Sequence, residues 1–229
     1  MKIYVMLLAG LLYLTACAIE NQDNNNRNTN DTMNIVEAVE KNDVETVKIL
    51  LKQGINVESK DGQGRSLLML ATHRNNVNMA KVLLAAGANV NIQDKIQDSP
   101  FLYAGAEGKL ELVKLYLEHN PNFKIYNRYG GTALIPAAEK GHLEVVRLLV
   151  KTPRFPIDHI NNLGWTALME AVILGTGGKV HIAIVQTLVD AGCDINITDS
   201  KGVSVLTHAR NKGFSEIVSI LETALKTKK

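Results

Sequence analysis

The chain has 229 residues, of which 46% are hydrophobic and 21% charged, enough for one sizeable domain with a tether and for a real apolar core. Its formal net charge is +2, with lysines and acids interleaved, so no positive stripe gathers to track a phosphate backbone. Nucleic acid is therefore excluded as the expected partner.

At the N-terminus, Lys2 precedes an apolar run from Ile3 to Ala16. That run is about half a membrane-spanning helix, the length of a signal-peptide core. It ends in Leu14-Thr15-Ala16-Cys17, which resembles a bacterial lipobox: an aliphatic residue, two small residues, and a thiol able to take a diacylglyceryl group. The resemblance implies a signal peptide over 1–16, lipidation at Cys17 and anchoring in the cell envelope. Ala18, in place of Asp after the cysteine, implies the periplasmic face of the outer membrane. Asn, Asp and Thr dominate up to residue 32 without apolar periodicity, so 17–32 reads as a lipidated cysteine on a disordered tether. Its reach is roughly 20–25 Å. The other cysteine, Cys193, reads as a small buried apolar residue.

The rest of the chain is periodic. Ser66, Ser99, Thr132, Thr166 and Ser204 open similar segments at successive spacings of 33, 33, 34 and 38. An alanine follows each by five residues: Ala71, Ala104, Ala137, Ala171 and Ala209. Four residues further on stands Asn75, Gly108, Gly141, Gly175 or Gly213, and an earlier copy keeps Ala38 and Asn42. Each unit makes sense as a helix pair. The Ser or Thr caps the first helix, the alanine lets helices approach, and the Gly or Asn ends the helix in the left-handed conformation. A second helix follows with apolar residues at helical spacing, as in Leu143–Val150.

Gly141-His142 and Gly192-Cys193-Asp194-Ile195-Asn196 complete a pattern that resembles the ankyrin repeat family over about residues 33–225. The resemblance implies an all-α, ankyrin-repeat solenoid of about six helix-pair units with connecting hairpins, followed by a basic tail over 226–229. It also implies a non-catalytic scaffold, a monomer on its own, that binds another protein through hairpin tips and groove-facing helices. Two departures stand out. About five extra residues, Thr176–Val180, fall between the helices of the fifth unit, and Thr152–Pro156 replaces a glycine turn after the fourth.

Catalytic chemistry finds no support. None of the six histidines lies three or four residues from another, so no helical two-histidine metal site is encoded. Gly175–Lys179 lacks the leading glycine of a phosphate loop, and no Gly-x-Ser-x-Gly elbow exists. The expectation is no enzyme, no metal and no cofactor. A hydrolase using the insert is the alternative of a different class, and an immunity protein against a periplasm-delivered toxin is the alternative within the binding class.

Binding residues follow from the family's hairpin slots, just before and just after the glycine that precedes the cap. Here these hold Ile96, Tyr129, Leu163 and Trp165, and aromatic residues dominate interface hot spots. The groove side of the first helices adds His73, Arg74, Glu107, Glu139 and Lys140.

Overall fold

The computed structural model describes residues 35–227 and Asp31. Cys17, the signal-peptide segment and the tether, Asp31 apart, lie outside the described residues, as do Lys228 and Lys229. Helix pairs repeat along the chain: α1 (35–40) with α2 (Val44–Lys52), α3 (Leu67–His73) with α4 (Val77–Ala85), and α5 (Pro100–Ala106) with α6 (Leu110–Leu117). They continue as α7 (Leu134–Glu139) with α8 (Leu143–Val150), α9 (Ala167–Ile173) with α10 (Lys179–Asp190), and α11 (Val205–Asn211) with α12 (Ser215–Thr227). The helix therefore continues into what the sequence suggested was a tail.

From α3 to α11 each first helix packs on the first helix of the next unit, and from α2 to α12 each second helix packs on its counterpart, giving two parallel helical layers. Isolated bridges at Lys60–Ser66 and Thr198–Ser204 are the only β-pairing among the described residues. The core lies between the layers, where Leu68, Ala71, Met79, Leu112, Tyr116, Leu134, Val146, Leu149, Leu168 and Ile184 are buried. Short first helices of 6 or 7 residues cannot stand alone in water, so burial against neighbouring units holds them. The buried phenol of Tyr116 is satisfied, since its Oη lies 2.7 Å from Thr72 Oγ1 across two units.

The caps form at four of the five expected sites. Ser66, Ser99, Thr166 and Ser204 accept the backbone N–H of Met69, Leu102, Met169 and Thr207. Thr132 does not. In the other units the cap's carbonyl also receives the N–H four residues on, at Leu70, Tyr103, Glu170 and His208. In this unit that residue is Pro136, which has no N–H. Helix α7 consequently starts one residue late, and Thr132 Oγ1 is buried without a hydrogen-bond partner.

Asn42, Asn75, Gly108, Gly141 and Gly213 take the left-handed conformation, with φ between 53° and 82°. Gly175 does not, and the positive φ of that loop, 68°, belongs to Gly177. Gly175 is required for space: a Cβ there would sit 2.0 Å from Ala171 O and 2.5 Å from the His181 ring. The insert is likewise only partly loop, because Lys179 and Val180 begin α10, which runs 12 residues against 8 in α8. After the fourth unit Arg154 occupies the left-handed position at φ 62° and Phe155 is buried against Phe123, with ring centroids 4.9 Å apart.

Candidate functional site

Each hairpin tip is built around one Asx residue. Asp94 Oδ1 accepts the N–H groups of Ile96 and Asp98, both at 3.0 Å. Asn127 does the same for Tyr129 and Gly131, and Asn161 for Leu163 and Trp165. This turn lifts the first residue of each pair outward and folds the second back toward the stack. Ile96, Tyr129 and Leu163 are accordingly 55%, 52% and 50% exposed. Trp165 is not an exposed tip residue: its slot turns inward, and its ring packs half-buried against the core. The tips are joined across units, with Asn162 N–H donating to Tyr129 O at 2.9 Å.

Ile96, Tyr129 and Leu163 rim a cavity of about 470 Å³, between the hairpins and the helices α5, α7 and α9. Glu107, Glu139 and Lys140 line it too, so six of the nine expected binding residues meet at one place. Lys140 Nζ lies 2.6 Å from Glu107, its counterpart one repeat earlier. Arg128 lies 3.3 Å from Asp98 and places its guanidinium over the Tyr129 ring, 4.8 Å from the centroid. His73 and Arg74 are not among the residues lining this cavity. His73 lies against Tyr103, ring centroids 4.0 Å apart, where burial and then the Arg65 charge hold its pKa below the usual range.

Glu170 was not among the expected binding residues. It stands on α9 among apolar neighbours, 5% exposed, and lines the same cavity. Oε1 accepts from Asn161 Nδ2 at 2.7 Å. Burial, with help from the Glu139 charge, pushes its carboxyl up to about 7 against the opposing Asn161 bond. The signal was a single acid in the run Ala167–Ile173, at the position held by Leu70, Tyr103 and Pro136 in the preceding units.

Histidine rings meet backbone carbonyls at His119 with Leu115 O, 2.8 Å, and at His159 with Gly130 O, 2.6 Å. His181 is the informative one: its Nε2 donates to Glu139 O at 2.8 Å, and Thr176 Oγ1 lies 3.2 Å from its Nδ1. His142 in the regular fourth unit bonds Ala106 in the same way, and Ala106 lies one repeat before Glu139. The insert thus delivers a histidine to the place that Gly-His fills elsewhere. No group of three or more His, Cys, Asp or Glu side chains that could hold a metal occurs among the described residues. Cys193 is buried, as the sequence suggested.

The repeat geometry is that of known proteins. A model of the family described as ankyrin repeats (3 copies) matches residues 6–94 and 101–199. This chain belongs to the ankyrin repeat family. A crystal structure of an ankyrin repeat domain from Acinetobacter baumannii AYE is 46% identical, with a TM-score of 0.80, covering 83% of this chain and 96% of that one. The ankyrin repeat protein EF0377 is 42% identical at a TM-score of 0.80, covering 82% and 96%. YahD of Escherichia coli (strain K12) is 41% identical over 68 residues, which is 30% of this chain and 34% of that protein. The chain therefore spans about a third of that curated relative. Ankyrin repeats typically act as protein-interaction scaffolds.

Proposed function

We propose that this chain is a non-catalytic scaffold that binds another protein in the groove rimmed by Ile96, Tyr129 and Leu163, working as a monomer tethered to the cell envelope through a lipid on Cys17. The observation that carries the reading is the cluster of three half-exposed apolar side chains on consecutive tips around one cavity. Apolar side chains on adjacent rigid turns are contact anchors, because the backbone beneath them is already fixed by Asx bonds. The periplasmic face of the outer membrane is the proposed address.

The test is capture from envelope extracts with the full chain and with Ile96→Ala/Tyr129→Ala/Leu163→Ala. The triple variant keeps its helical circular dichroism and loses at least about 2 kcal/mol of affinity for the captured protein, roughly thirtyfold. Unchanged capture by a folded triple variant refutes the groove. Cys17→Ser tests the address separately: it abolishes fatty-acid labelling, and equal labelling of variant and wild type rules out the anchor.

A further inference from the structure

The groove cavity carries an uncompensated negative charge. Four acids line it, Asp98, Glu107, Glu139 and Glu170, against two bases, Arg128 and Lys140. Both bases are already held, Arg128 by Asp98 and Lys140 by Glu107. Glu139 and Glu170 form no ion pair among the described residues. Glu170 is more than nine-tenths buried, and only one of its oxygens, bonded to Asn161, has a protein donor. The other has none, although Glu170 lines the cavity wall.

A carboxylate in this position opposes folding, since burying a charge without a counter-charge is costly. The earlier units show what packing alone prefers there: leucine, tyrosine and proline. The same cavity also has apolar and aromatic lining, from Tyr103, Tyr129, Leu163 and Leu174. An aliphatic stem ending in a cation matches both features. The stem covers the apolar walls, and the charge meets the carboxylates. A small anion or a purely apolar side chain would leave one of the two features unused.

Resting on the groove reading above, we infer that this cavity takes an arginine or lysine side chain presented by the partner protein, with Glu170 and Glu139 as its acceptors. The groove can hold a partner without such a side chain.

The test is a nuclear magnetic resonance titration of the full chain, carrying ¹³C-labelled glutamate carboxyls, at about pH 8, where Glu170 is ionised. The probes are the blocked tripeptide acetyl-Leu-Arg-Leu-amide and its citrulline analogue, which keeps the shape of arginine without its charge. The arginine peptide binds at least about tenfold more tightly and shifts the Glu170 and Glu139 carboxyl signals, as a charge-assisted contact requires. Glu170→Gln, whose amide oxygen still accepts from Asn161, lowers arginine affinity at least about tenfold, to the citrulline level. Equal binding of the two peptides, or no loss in Glu170→Gln, overturns the inference while the capture experiment still judges the groove. Binding of neither peptide also overturns it.

Discussion

Single side chains in this stack differ in value because the repeat fixes what surrounds each copy. Thr132 and Thr166 occupy one slot in adjacent units, yet Thr166 caps α9 and Thr132 caps nothing. Thr166→Val removes a working cap and costs about 1–2 kcal/mol. Thr132→Val replaces a buried hydroxyl without a partner by a methyl of the same shape, and is neutral or stabilising by up to about 1 kcal/mol. Chemical denaturation of both variants checks the pair, and equal losses would mean Thr132 does cap its helix. Glu170 offers a second contrast, in pH. Its folded pKa of about 7 lies above the ordinary carboxyl value of 4.5, so between those values the folded chain keeps a proton the unfolded chain has lost. Its contribution is full below about pH 4.5 and fades as pH rises through 7, by on the order of 2–3 kcal/mol. Glu170→Gln therefore gains stability relative to wild type between about pH 5 and 8. A constant difference across that range would show that the carboxyl is not displaced upward. Taking the difference also cancels His73 and His142, whose lowered pKa values act with the opposite sign.

Among the helices and turns, the fourth and fifth units are where local rules and structure part. Capping and left-handed turns are local backbone chemistry, which is why four of the five Ser/Thr positions and every turn residue except Gly175 could be read from spacing. Thr132 failed through a proline four residues away, and Trp165 through an Asx turn that points alternate tip residues in opposite directions. Glu170 stood out only as one acid in an apolar run, because its environment comes from Asn161 and from Glu139 in the unit before. The insert illustrates the same limit. Seen in sequence it is a loop of extra length, and lengthening a loop costs only about 0.6 kcal/mol per doubling. Seen in place, Gly177 lies against the Phe214 ring and His181 ties α10 to Glu139. Gly175→Ala accordingly costs at least about 3 kcal/mol, since the new methyl meets a backbone carbonyl that cannot yield. Gly213→Ala meets nothing within 4 Å and costs only the left-handed backbone penalty, about 1–2 kcal/mol. Similar thermal shifts for the two would contradict this assignment of space to one glycine and conformation to the other.

Along the stack, the main helix contacts among the described residues run within a unit or between neighbouring units, so stability is carried by interfaces in series. The groove cavity draws residues from the third, fourth and fifth units and none from the first or last. Damage at an end and damage in the middle should then have different consequences even when the chemistry is the same. Leu149 in α8 and Leu221 in α12 are both completely buried, and each truncation to alanine removes the same atoms. Leu149→Ala acts on an interface with a unit on either side and costs roughly 2–5 kcal/mol of global stability. Leu221→Ala loosens a unit with a neighbour on one side only, so α11 and α12 open while the remaining units stay closed. Hydrogen exchange should show lost protection confined to 205–227 in Leu221→Ala, but spread across the third to fifth units in Leu149→Ala. Arginine-peptide affinity follows the same division. It stays within about twofold of wild type in Leu221→Ala, because local opening of α11 and α12 touches no cavity residue. Under mild denaturant Leu149→Ala loses binding together with protection, since the rim and the carboxylates come from the units that open. If Leu221→Ala instead lowered protection through α5 and α7, the stack would be one cooperative block, and the groove could be weakened from either end.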